Sequence, residues 1–159
     1  MFFSQNGWPA NADKNAIQVK NFQVPNTNRH FSCAEEVAPI LIGFAAWYHK
    51  YIQKIDVGTY DDWGYNFATI PNQTDYSNHA SGTAIDINAT LHQWRAPKSG
   101  FSKLQEIRIR WRCRALGIRW GWDYLHGWKD PMHFEIIETP AQVKARIIRM
   151  KLPIPKVSI

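Results

Sequence analysis

The chain is predicted to fold as α+β, a small and mainly antiparallel sheet flanked by helices, and three features of the sequence lead there. Apolar residues recur at helical spacing from Val37 to Ile55. The stretch Ala84-Ile85-Asp86-Ile87-Asn88 alternates strictly, as a half-buried strand does. Helical and strand-like stretches follow one another without the strand–helix–strand regularity that a parallel sheet requires.

Taken in order, residues 1–30 are rich in Asn, Gln and Pro and predict an irregular arm over the surface. A helix is expected to start at Ser32, where Ser32 and Glu35 form an S-x-x-E capping box. Its buried face would be Val37, Ile40, Leu41, Phe44, Tyr48, Tyr51 and Ile55, with Pro39 in the first turns or at a kink. Trp63 to Ile70 reads as strand, and Pro71 to Asn78 as a polar loop. In the next strand Ile85 and Ile87 face the core, while Asp86 and Asn88 face the other way.

Ser102 to Leu116 fits two periods. Ile107, Ile109, Trp111 and Cys113 alternate with four arginines, yet Leu104, Ile107, Trp111 and Ala115 also fit a helix. The length and the natural C-cap at Gly117 favour the helix. Ile118 to Trp122 and His133 to Ile137 then read as short strands, and Thr139-Pro140 opens a last helix that ends before Pro153. One domain over 1–159 is expected, with its core at about 31–150.

Composition narrows the function. Hydrophobic residues make up 45% and charged residues 20% of the 159, which excludes a disordered or collagen-like chain. Cys33 and Cys113 are too few for a disulfide scaffold. The net charge of +6 is uneven: residues 1–94 sum to −3 and residues 95–159 to +9. That asymmetry suggests an anionic partner such as nucleic acid, an acidic membrane or a wall polymer. The apolar run Ala38 to Tyr48 is too short to span a bilayer. Met1 to Ala10 lacks the basic start and apolar stretch of a secretion signal, so synthesis in a cytoplasm is expected.

Two groups of residues have the chemistry of a metal site. In Ser77-Asn78-His79-Ala80-Ser81-Gly82-Thr83-Ala84-Ile85-Asp86, an imidazole precedes a Gly-containing turn and a carboxylate lies on the polar face of the following strand. In Asp130-Pro131-Met132-His133-Phe134-Glu135, a second imidazole opens a strand with carboxylates on both sides. Two His and one Asp leave the fourth position of a zinc ion open for water, the arrangement of catalytic sites. A neighbouring carboxylate would take the proton from that water. Spacing leaves two candidates, Glu135 on the same strand face as His133, and Asp130 reaching in from the preceding loop.

The pattern S-x-H-x-x-G-x-A-x-D at Ser77 to Asp86, followed by D-x-x-H at Asp130 to His133, resembles the VanY-like zinc D-alanyl-D-alanine carboxypeptidases and L-alanyl-D-glutamate endopeptidases. The resemblance covers about Cys33 to Ile137. It implies a single Zn2+ held by His79, Asp86 and His133, with Asp130 as the acidic general base in preference to Glu135. The implied substrate is the stem peptide of bacterial peptidoglycan. Ser-Asn-His-Ala-Ser-Gly-Thr-Ala-Ile-Asp-Ile-Asn is close to the form found in phage lysins. A bacteriophage endolysin is therefore expected: monomeric, made in the host cytoplasm, acting on the wall after release, and drawn to anionic wall polymers by its charge. One departure stands out. Relatives often carry a basic residue shortly before the S-x-H motif, and here Ala68 or a neighbour occupies that place.

Two other functions compete. Cys33, just inside the helix expected from Ser32, would have a lowered thiol pKa and could serve a cysteine wall peptidase. However, Phe31-Ser32-Cys33-Ala34 lacks the Asp-Cys-Ser-Gly pattern of NlpC-type enzymes. The second is a non-catalytic wall-binding module with a residual zinc site, for which the basic C-terminal portion and its tryptophans would suffice. No nucleic-acid partner is expected: Arg108, Arg110, Arg112 and Arg114 on a helix spread around it without forming one stripe.

Overall fold

The computed structural model describes residues 2–158, so Met1 and Ile159 of the expected 1–159 domain lie outside the described residues. Four strands come first: β1 (Phe2–Phe3), β2 (Pro9–Ala10), β3 (Val19–Gln23) and β4 (His30–Ala34). Helix α1 (Ala38–Tyr51) follows, then β5 (Ala84–Asp86), α2 (Lys103–Leu116), β6 (Ile118–Trp120), β7 (His133–Ile136) and α3 (Pro140–Met150). The chain is α+β, as expected from its mixed periodicities.

Among the described residues three antiparallel sheets are formed: β1 with β2, β3 with β4, and a three-stranded sheet in which β7 lies between β5 and β6. As the central strand β7 is buried along its whole length. Phe134 sits under α1, its ring centroid 4.6 Å from that of Phe44, and stacks at 6.1 Å on Trp120 of β6. Truncating such a fully buried ring to Ala typically costs about 3–5 kcal/mol. Ile85 and Ile87 are fully buried, as the alternation predicts.

Helix boundaries separate local from long-range control. At α2 the Ser102 side chain accepts from the Gln105 N–H, the Gln105 side chain reciprocates, and Gly117 closes the helix at φ +69°. Thr139 and Gln142 make the same reciprocal cap on α3, with Pro140 in its first turn.

The helix expected from Ser32 begins instead at Ala38. Residues 30–34 pair in register with Val19–Gln23, and that ladder overrides the local capping pattern. Pro39 lies in the first turn of α1, while Ile55 falls beyond its end and is nonetheless fully buried. Tyr51 is the exception on the predicted apolar face, being half exposed.

Two further expectations need correction. Trp63 to Ile70 is an extended loop with single bridges at Trp63 and Thr69, because its backbone groups pair with scattered partners, Asp86 of β5, Ser32 of β4, His79 and the 75–77 turn, and not with one continuous strand. The irregular arm expected over residues 1–30 instead carries β1 to β3 and the start of β4, and buries Trp8, Val19, Phe22 and Val24 in the core. Its Asn-rich segments are spent on hydrogen bonds inside the protein: Asn6 Nδ2 donates to Thr83 Oγ1 and to the Ile136 carbonyl at 2.8 and 2.9 Å.

Candidate active site

The S-x-H-x-x-G segment folds as one turn of 3-10 helix, Asn78–Ser81, whose start is capped by the Ser77 side chain. Gly82 ends that turn at φ +67°, and a Cβ there would lie 2.7 Å from both the Ala34 nitrogen and Val19 Cγ2. Only glycine combines that conformation with that clearance. The turn delivers His79 to the end of β5, where Asp86 stands directly opposite His133 of β7. Asp86 and His133, 47 positions apart in sequence, thus meet through sheet register.

Three donor atoms converge. His133 Nδ1 lies 2.9 Å from Asp86 Oδ1 and 3.0 Å from His79 Nε2, and His79 Nε2 lies 3.3 Å from Asp86 Oδ1. Ligands placed tetrahedrally at the usual zinc distances are about 3.3 Å apart. The outer nitrogens are anchored: His79 Nδ1 donates to the Gly64 carbonyl at 2.7 Å, and His133 Nε2 donates to Glu135 Oε2 at 3.1 Å. Those bonds direct the remaining nitrogens at each other, an arrangement that a shared cation satisfies. The residues present therefore fit a zinc ion with two imidazoles and one carboxylate.

Charge follows the same geometry. Burial works against ionisation of Asp86, yet His79 and His133 hold its carboxyl well below the usual carboxylate range. Burial also opposes charge on His133, but its bonds to Asp86 and Glu135 outweigh this and raise its pKa well above the ordinary value.

The two candidate bases have different surroundings. Glu135 is buried and fully engaged: it accepts from Asn78 Nδ2 at 2.6 Å, from His133 Nε2, and from the Tyr124 hydroxyl. It faces the imidazole nitrogen that points away from Asp86 and His79. Asp130 has a buried Oδ1 with no hydrogen-bond partner. Burial pushes the Asp130 carboxyl up to about 6; His133 opposes the rise and Asp86 adds to it. The Asp130–His133 turn is tied down by the Asp130 N–H to the Gly121 carbonyl and by the His133 N–H to the Asp130 carbonyl. It also packs so tightly on Gly121 that a Cβ there would meet the Asp130 carbonyl oxygen at 2.4 Å.

A groove of about 620 Å³ opens beside His79 and Asp86, walled by Trp63, Gly64, Tyr65 and Asn66 on one side and by β3 and β4 residues on the other. Among the described residues no lysine or arginine lines it. The expected arginine near Ala68 is thus not replaced by another lysine or arginine here; Asn66 and Ser32 are neutral polar residues of the wall. Arg29 is buried nearby in the chain fold, but its guanidinium donates to the Ile55 and Thr59 carbonyls and lies 3.3 Å from Asp62.

Cys33 does not occupy a helix start. It lies within β4, fully buried, and burial drives its thiol pKa upward, opposite to what a nucleophile needs. Cys113 is likewise buried, and neither cysteine is in a disulfide. Several residues of the site carried no sequence signal of their own: the Gly64 carbonyl, Asn78 and Tyr124. Asn78 sits inside the quoted motif, but only the sheet shows that it reaches Glu135.

Among known proteins, a family model described as D-alanyl-D-alanine carboxypeptidase matches residues 71–136. No curated protein and no solved structure matches the chain. The matched span holds His79, Asp86, Asp130, His133 and Glu135 together, and over that span the chain is similar to the VanY-like D-alanyl-D-alanine carboxypeptidases.

Proposed function

We propose that this chain is a zinc peptidase that hydrolyses a bond of the peptidoglycan stem peptide and serves as a bacteriophage endolysin. The observation that carries the metal assignment is the convergence of His79 Nε2, Asp86 Oδ1 and His133 Nδ1 with both outer imidazole nitrogens anchored. The family match supports the peptidase chemistry and the wall substrate. The lysin role rests on the form of the Ser77–Asn88 segment.

Zinc bound by these three residues would supply Lewis-acid activation of water and of the scissile carbonyl. Asp130 takes the proton of the attacking water and returns it to the leaving amine. A carboxyl whose buried Oδ1 has no hydrogen-bond partner, pushed up by burial to about 6, is suited to both transfers. Glu135 and the Gly64 carbonyl keep the two imidazoles in the tautomers that face inward. The groove along Trp63–Asn66 receives the peptide, and Asn66 is the neutral donor placed to steady the developing oxyanion in the absence of an arginine.

Incubating the protein with soluble stem peptides and reading the products by mass spectrometry tests this directly. Cleavage at L-Ala–D-Glu or at D-Ala–D-Ala, abolished by a zinc chelator, is the expected result. Intact peptides would leave a wall-binding module with a structural metal.

A further inference from the structure

Helix α2 presents two apolar faces. Ile109, Cys113 and Leu116 are buried in the core. On the opposite side Leu104, Ile107 and Trp111 are 57%, 52% and 72% exposed, and at spacings of three and four they form one ridge that Ala115 continues. From Leu104 to Ala115 that ridge is about 16 Å long. A tryptophan, an isoleucine and a leucine in an exposed row are unusual on a surface that touches only water.

Cations border the ridge on both edges. Helical geometry puts Arg108 and Arg112 on one edge, with Lys103 and Arg114 on the other. Arg110 pairs with Glu106 and Asp123, whereas among the described residues Arg108, Arg112 and Arg114 make no ion pair. Arg112 also has a buried Nε without an acceptor. Toward α1 the Arg108–Arg112 edge opens into a groove of about 610 Å³ walled by Trp47 and Tyr51. Arg112 lies over the Trp47 ring at 5.7 Å, and Lys50 lies over Tyr51 at 5.1 Å.

We infer that this face of α2, with the adjoining α1 aromatics, docks on the surface of an anionic phospholipid bilayer. A ridge of Leu, Ile and Trp between two rows of unpaired cations matches a layer whose headgroups are negative and whose interior is apolar. Trp and Tyr at the border suit the headgroup level. A soluble phosphate polymer or a nucleic acid would engage the arginines but leave Leu104 and Ile107 against a polar chain. No described helix is long and apolar enough to cross a membrane, so the contact is peripheral. This face is separate from the residues of the metal site, and the inference does not depend on the peptidase chemistry.

The test is co-sedimentation of the full chain with vesicles of phosphatidylcholine alone and of phosphatidylcholine mixed with phosphatidylglycerol, at low and physiological salt. Binding to the mixed vesicles and not to phosphatidylcholine alone is expected. Arg108→Gln should weaken it about fivefold, the worth of one cation at such a surface. Ile107→Ser and Trp111→Ser should each weaken it about tenfold, as loss of buried apolar area predicts. Both ridge positions are exposed, so circular dichroism should be unchanged, and hydrolysis of soluble stem peptides should be unaffected. Absence of sedimentation with mixed vesicles, or sedimentation indifferent to Ile107→Ser and Trp111→Ser, overturns the inference. So does displacement from vesicles by glycerol-phosphate polymer that is equally strong in wild type and Trp111→Ser.

Discussion

The side-chain amide of Asn78 donates to Glu135 Oε2 across 2.6 Å, and the same carboxylate oxygen accepts from His133 Nε2 at 3.1 Å. Asn78 is itself held by the Asn6 N–H, which donates to its Oδ1 at 2.9 Å. A chain of hydrogen bonds thus runs from the turn between β1 and β2 to the imidazole proposed as a metal ligand. Glu135 orients that ligand, which is a different role from moving protons on the substrate.

From this relationship, Glu135→Gln and Asn78→Ala are expected to weaken zinc binding by about 10–100-fold, the usual cost of losing a partner behind a ligating histidine. Competition with a chromogenic chelator reads that affinity without reference to activity. Unchanged affinity in both variants would show that Glu135 does not position His133.

Asp130→Ala should behave in the opposite sense. Zinc is retained at full occupancy while peptidase activity falls by about 10²–10⁴-fold, the usual contribution of a positioned general base. His133→Ala should lose both zinc and activity. Full activity in Asp130→Ala would return the base role to Glu135.

Much of this site was legible because its residues lie in two short segments. Ser77, His79, Gly82 and Asp86 occupy one turn and the strand after it: Ser77 caps the turn, Gly82 ends it in the left-handed region, and the ligand chemistry of His79 and Asp86 is read from the residue types and the resemblance. The α2 and α3 caps were legible for the same reason. Where pairing is long-range, local patterns misled: Ser32 and Glu35 have capping-box spacing, yet Phe31 and Cys33 alternate inward as strand residues against β3. The N-terminal segment looked unstructured because Asn and Gln usually mark loops, whereas Asn6 is used as a brace between the Asn78 turn and β7. Spacing left Asp130 and Glu135 open and the resemblance alone favoured Asp130; what needed three dimensions is that Glu135 bonds the Nε2 of His133, the nitrogen that points away from Asp86 and His79.

Gly82→Ala should destabilise the protein by roughly 2–4 kcal/mol, combining a left-handed backbone with a backbone collision. Urea denaturation monitored by tryptophan fluorescence measures it. Because the turn also places His79, zinc affinity should fall as well. A variant as stable as wild type would mean that the turn adjusts, and that the glycine is not required.

Asp62 gives a pH dependence of stability. Burial pushes its carboxyl up to about 6 from an ordinary 3.8; the Asn88 N–H lowers it, Asp61 raises it and Arg29 lowers it. Between those two values the folded state binds more protons than the unfolded state, so this group's contribution declines as pH rises through that window. Relative to Asp62→Asn, the wild type should gain on the order of 1–3 kcal/mol as pH falls from about 7 to about 4. Denaturation midpoints of the two proteins that shift in parallel with pH would exclude it.

Attraction to an anionic wall by the +6 charge should make activity on whole cells fall as salt rises, while hydrolysis of soluble stem peptides stays nearly constant. Whole-cell activity that is flat with ionic strength would remove electrostatics from wall recognition.

The most direct measurement is mass spectrometry of purified peptidoglycan after incubation with the protein, run with a zinc chelator, without it, and after zinc is restored. New stem-peptide termini that vanish with chelator and return with zinc are predicted, their masses naming the bond. Termini that persist in the chelated sample, or stem peptides intact in all three, would contradict a zinc peptidase built on His79, Asp86 and His133.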